Sequence, residues 1–216
     1  MPAPSTTRLG SLLLICLGFL FLNLGTMVML RMVYEYSSFD DQVGFLQLKQ
    51  DYLHVKIWKT AFYVHVFFSV LTLLAGFTQF SAVFLQRYRP LHRILGRVYA
   101  ANVLFINVPA GLVMAIYANG GLLGKAAFLI LDLLWFWFTL KAILDARNGD
   151  FAGHRDFMIR SYALTLSALT LRTWNLILSY GTDLPEETVY LMNAWLGFVP
   201  NLLVAEWLIA RRRRKS

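Results

Sequence analysis

Apolar residues run in long blocks along this chain, and polar residues are confined to short breaks between them. Neither the two-residue alternation of a half-buried strand nor the one-sided stripe of a soluble helix persists through the blocks. They are apolar all round, the pattern of helices bathed in lipid. About 20 such residues cross the roughly 30 Å hydrocarbon core of a bilayer. Six blocks reach about that length, at 9–30, 61–85, 97–117, 126–144, 157–179 and 188–210. The pattern therefore predicts an all-α, polytopic membrane protein, a six-helix transmembrane bundle built as one domain over residues 1–216. The first block, LGSLLLICLGFLFLNLGTMVML, exceeds a signal-peptide core and lacks a small-x-small cleavage site, so it is expected to stay as a helix.

The breaks carry their own patterns. In GFLQLKQDYLHVKIWK, 44–59, Phe45, Leu48, Tyr52, Val55 and Trp58 recur at helical spacing between charges, which predicts an amphipathic helix on the outer interface. The other connections are short, so sequential helices should be antiparallel neighbours. The basic stretch RPLHRILGRVY, 89–99, reads as a short loop that delivers His92 to the start of the third span.

Composition agrees with the pattern: 58% of residues are hydrophobic and only 15% charged. The net charge of +8 changes the picture only through its placement. Arg8, Arg87, Arg89, Arg93, Arg97, Lys141, Arg147, Arg155, Arg160 and the tail RRRRKS, 211–216, all fall on one side of the predicted bundle. The positive-inside rule then expects both termini in the cytoplasm. Such scattered end-of-helix arginines do not make a nucleic-acid face, and the tail is expected to anchor topology and to meet anionic lipid headgroups. Cys16 is the one cysteine, so there is no disulfide framework and no cysteine metal site.

Ionisable groups inside the spans are the candidate chemistry, because charge in hydrocarbon costs at least about 2.5–3.5 kcal/mol per residue and is usually kept for a reason. His65, Asp132 and Arg172 share a depth near the outer end of their helices and could satisfy one another as a structural lock or form an outward polar pocket. His92 and His154, in GHRDFMIRSY, share a second level near the basic side, with Gln79 and Glu206 at similar depth. Two neutral imidazoles on facing helices suit a six-coordinate haem b iron, with Arg93, Arg97, Arg155 or Arg160 to neutralise its propionates. The same histidines could equally cap helix starts in a basic belt. No phosphate-binding loop or G-x-S-x-G nucleophile elbow is present, and a zinc site from His65, Asp132 and His54 would need the outer segment to fold inward. Pro109 and Pro200 interrupt two spans, which leaves a small-solute carrier or an accessory subunit as the alternative to an electron carrier; a quinol or other redox partner would go with the latter.

FYVHVFFSVLTLLAGFTQF, RPLHRILGRVY, NVPAGLVMAIYANGG and GHRDFMIRSYALTLSALTLRTW, in that order, resemble a bacterial family of predicted integral membrane proteins known only as a domain of unknown function. The resemblance covers about residues 45–180 and implies a membrane fold and no activity. It would make His65, Gln79, His92, Arg93, Gly96, Arg97, Tyr99, His154, Arg155, Met158, Arg160, Tyr162 and Arg172 the characteristic positions. The chain is also similar, more weakly, to six-helix diheme cytochromes b and ferric-reductase-like proteins, which implies haem between paired histidines. Here only the inner pair, His92 and His154, matches that plan, because His65 has no intramembrane histidine partner.

Overall fold

The computed structural model describes residues 5–80 and 82–214, and every regular element among them is helical. In chain order these are α1 (Ser5–Tyr36), a 3₁₀ helix (Gly44–Tyr52), α2 (Lys56–Gln79), α3 (Ala82–Arg87), α4 (Arg89–Asn102), a π turn (Val103–Asn107), α5 (Val108–Ile116), α6 (Gly121–Arg147), α7 (Phe151–Thr165), α8 (Ser167–Gly181), α9 (Glu186–Leu196) and α10 (Val199–Arg213). Five stretches among the described residues are long and apolar enough to cross a membrane: Cys16–Tyr36, Lys56–Ala75, Arg89–Ile116, Gly121–Arg147 and Glu186–Arg213. The chain is an all-α polytopic membrane protein.

The expected fifth span, 157–179, exists as two helices. α7 and α8 run end to end through Leu166, and each 15-residue half is about 22 Å long at the α-helical rise, short of the hydrocarbon thickness. A second break divides α9 from α10, just before Pro200, whose missing N–H cannot continue the ladder. Side-chain bonds join the two breaks. Thr170 Oγ1 donates to the Gly197 carbonyl at 2.5 Å, and Asn201 Nδ2 donates to Thr170 Oγ1 at 3.0 Å and to the Ala163 carbonyl at 3.1 Å. Pro109 acts similarly in the third span. The helix widens into the π turn immediately before it, with the Val108 N–H reaching back to the Val103 carbonyl.

Two local expectations are corrected. RPLHRILGRVY is no loop: Pro90 sits in the first turn, where its missing N–H costs nothing, and the stretch is the helix α4. The 44–59 segment is not one amphipathic α-helix. Its first part is 3₁₀, so the inward period is three residues: Leu46 and Lys49 are buried while Leu48 is exposed, and Trp58 belongs to α2 with 1% of its surface accessible.

Tyr99 and Val103 from the third span, Ala127, Leu131 and Trp135 from α6, Tyr162 and Leu164 from α7, and Ala194 and Phe198 near the last break make the central core. α1 lies outside it. Leu17, Phe19, Leu20, Leu24 and Met27 on α1 are exposed, as lipid-facing residues would be, and the helix docks through Met29 and the close approach of Gly25 to Leu169. A Cβ at Gly25 would stand 2.9 Å from a Leu169 methyl carbon.

Candidate functional site

Helical phase organises the basic half of the bundle. Seven residues are two turns, so His92 and Tyr99 share one face of α4, and His154 and Ser161 share one face of α7. The Tyr99 hydroxyl meets Ser161 Oγ at 2.7 Å and Thr165 Oγ1 at 2.9 Å, pinning the two faces together. Two turns, or about 10 Å, toward the basic end, the same faces carry the imidazoles. His92 lies within electrostatic reach of His154.

The two rings are prepared differently. His154 Nδ1 stands 2.8 Å from the Ala142 carbonyl on α6. A carbonyl can only accept, so Nδ1 carries the hydrogen, and in the neutral ring Nε2 keeps the free lone pair. His92 Nδ1 is buried and has no hydrogen-bond partner among the described residues. Gln79 comes to the same helix face: a Cβ at Gly96, one turn from His92, would stand 3.2 Å from its Oε1.

The arginines divide. Arg93, Arg97 and Arg155 are exposed and form no ion pair among the described residues. Arg160, by contrast, is engaged, forming a two-pronged pair with Glu206 and lying over Phe157 and Phe138. The tail is partly engaged as well. Arg212 and Arg213 bond the buried Asp156 carboxylate at 2.6 and 2.9 Å, and Arg211 lies over the Trp207 ring; residues 215–216 lie outside the described residues.

Sequence reasoning missed the node between these levels. Trp135 Nε1 donates to the Tyr99 hydroxyl at 3.4 Å, and Thr139 Oγ1 meets Ser161 Oγ at 2.7 Å, so α4, α6 and α7 share one buried cluster of hydroxyls. Tyr162 donates from α7 to the Leu73 carbonyl of α2 at 2.9 Å. The signal was present in GRVY and RSYALT, as polar residues two turns beyond each histidine.

The outer trio does not assemble. Arg172 on α8 donates to the Ala168 carbonyl at 2.7 Å and to Met32 Sδ of α1 at 3.3 Å, and lies within electrostatic reach of His65. Asp132 on α6 faces α5 instead and pairs with neither. Its carboxylate packs on Gly111, where a Cβ would stand 2.6 Å from the nearer oxygen. His65 Nδ1 donates to the Asn107 carbonyl of the π turn at 3.2 Å; Asn107 Nδ2 donates to Asn102 Oδ1 at 2.9 Å, and Asn102 Nδ2 donates to the Phe68 carbonyl at 2.8 Å. His54 is exposed, and among the described residues no three His, Cys, Asp or Glu side chains gather as metal ligands. Two surface grooves lie away from the imidazole pair: one of about 710 Å³ between α2 and α5 and one of about 300 Å³ against α10.

At the rim of this outer half, Lys49 is almost fully buried. Its ammonium donates to the Tyr117 carbonyl at 2.6 Å and to Asn119 Oδ1 at 2.5 Å, with the Phe45 and Tyr52 rings beside it. Burial, with repulsion from Lys125, pushes its pKa down to about 8.

Residues 62–209, from within α2 to within α10, match the family described as predicted membrane protein (DUF2306). The chain belongs to this family. Neither a curated protein nor a solved structure matches it. The matched region contains both histidine levels and the hydroxyl node, and it excludes α1 and the Lys49 segment.

Proposed function

We propose that this is a haem b protein that carries electrons within the membrane, with His92 and His154 as the axial ligands. The observation that carries the reading is the matched phase of α4 and α7: one bond, Tyr99 to Ser161, sets two helix faces opposite each other, and each face bears an imidazole two turns away. The fit rests on the nitrogens. His154 has its Nδ1 hydrogen tied to Ala142, the arrangement that presents Nε2 to a metal, and His92 has a buried ring nitrogen that no donor or acceptor among the described residues satisfies.

Arg93 and Arg155, without carboxylate partners among the described residues, supply positive charge for the propionates, and Gln79 flanks His92 over Gly96. Bound haem b supplies a one-electron couple whose potential is set by axial ligation and burial. The basic end then faces the cytoplasm of a bacterial cell by the positive-inside rule, and a quinol is a suitable class of donor.

The test is the visible spectrum of the detergent-purified protein, oxidised and then dithionite-reduced, with haem quantified per chain. A Soret band and a sharpened reduced α band near one haem per chain are expected, both lost in His92→Ala and His154→Ala. A protein that stays colourless after expression with added haem precursor overturns the reading.

A further inference from the structure

We propose that Asp132 is a proton-binding site inside the bundle, and that its proton exchanges with the basic end along the hydroxyl cluster formed by Thr139, Ser161 and Tyr99. The site stands whether or not haem binds at the imidazole level.

Asp132 is 4% exposed and makes no hydrogen bond or ion pair with any described residue. Most titratable groups on the helices around it are committed elsewhere, and the Tyr63 hydroxyl of α2 and His92 Nδ1 of α4, which have no partner among the described residues, do not bond Asp132 either. His65 of α2 bonds the Asn107 carbonyl, Tyr99 of α4 bonds Ser161 and Thr165, Tyr162 of α7 bonds the Leu73 carbonyl, Tyr190 of α9 accepts from the Asn119 N–H, and Arg172 of α8 bonds Ala168 and Met32. The α5 surface opposite Asp132 has no cation to offer. Gly111 brings bare backbone against the carboxylate, and Asn107, one turn away, contributes a buried Oδ1 that no donor reaches. Two buried acceptors around one turn of helix call for a donor, and an isolated buried carboxylate is far too costly to leave charged. A proton on Asp132 removes that cost and gives the carboxyl an O–H to donate.

Phase on α6 aligns the carboxyl with the hydroxyl node. Asp132, Trp135 and Thr139 fall on one face at i, i+3 and i+7, about 10 Å from carboxyl to hydroxyl level. Trp135 and Thr139 both enter the hydroxyl node, and Ala142, the next position on that face, holds His154. The Trp135 N–H only donates, so water across that interval hands the proton between Asp132 and the first hydroxyl; each hydroxyl then takes a proton on its oxygen and releases its own, with none gained or lost. At Asp132 one proton joins a carboxylate oxygen on loading and leaves it on release, with no change in electrons.

Infrared spectroscopy of the protein in liposomes at neutral pH reads this directly. A protonated carboxyl C=O stretch is expected in the wild type, absent in Asp132→Asn and retained at a shifted frequency in Asp132→Glu. In D2O the band should shift as the proton exchanges, and Tyr99→Phe should slow that shift by about tenfold or more. No Asp132-dependent band, or a wild-type band that does not shift in D2O, overturns the proton site. A shift as fast in folded Tyr99→Phe as in the wild type overturns the route through the hydroxyls.

Discussion

The basic and outer halves of the bundle solve the problem of buried polarity in opposite ways. In the basic half, Tyr99, Trp135, Thr139, Ser161 and Thr165 are bonded to one another across α4, α6 and α7. In the outer half, polar side chains lean mainly on backbone: His65 on the Asn107 carbonyl, Asn102 on Phe68, Lys49 on Tyr117, with Asn107–Asn102 and Lys49–Asn119 as isolated side-chain pairs, while Asp132 bonds no described residue. A mutual network fixes the relative rotation of helices, because each partner constrains the other. Side chain-to-backbone bonds tolerate a distorted backbone, and the outer half has one in the π turn. The basic half is thus built to hold two faces in register, and the outer half to hold an irregular helix in place.

The largest break in this comparison is Tyr99→Ala. It removes a fully buried ring and leaves Ser161, Thr165 and Trp135 short of a shared partner, and aromatic-to-alanine changes in packed cores cost about 3–5 kcal/mol. Unfolding in mixed micelles should show a loss of that order, with pigment lost alongside. His154→Ala should remove pigment with a much smaller loss of stability. Equal losses from the two variants would mean that the hydroxyl node does not set the helix register.

Asn102→Ala comes next. It deletes the bond to Phe68 and strands Asn107, but interhelical side-chain bonds in membranes average only about 0.6 kcal/mol, with about 1.7 as the upper end. A loss of about 1 kcal/mol with pigment unchanged is expected. A loss as large as that of Tyr99→Ala would make the two halves equivalent.

Much of this was legible from residues alone, and what was not shares a cause. Hydrophobic blocks fix which segments cross, and a shared depth is easily read from them. His92 and His154 lie within electrostatic reach of each other, on helix faces whose phase is shared with the Tyr99–Ser161 bond two turns away. Asp132 and Arg172 also share depth, yet one faces α5 and the other α1, because depth leaves the direction around each helix open and neighbouring helices choose it. The break before Pro200 could be read from the proline, whereas the break at Leu166 has no such mark. Lys49 was hidden for a different reason. An α-helical period applied to a 3₁₀ segment rotates each successive residue by the wrong angle, so a buried lysine looked like a solvated one.

Lys49 gives the finest test of the outer half, because it is a charge held under a loop outside the spans. Its pKa is lowered to about 8 in the folded chain from the ordinary 10.5. Below about pH 8 both folded and unfolded chains hold the proton, so the cost of the buried ammonium is constant. Between about 8 and 10.5 the unfolded chain binds more protons than the folded one, and this residue's contribution to stability rises with pH, by at most about 1.4 kcal/mol per pH unit. The measurement is the difference in unfolding free energy between wild type and Lys49→Met at a series of pH values. The difference should move in favour of the wild type from about pH 8 upward by roughly 1 kcal/mol over the first unit, and stay flat from pH 6 to 7. A difference that is flat throughout would mean that the lysine keeps its ordinary affinity for the proton, and that the bonds to Tyr117 and Asn119 hold it charged at no cost.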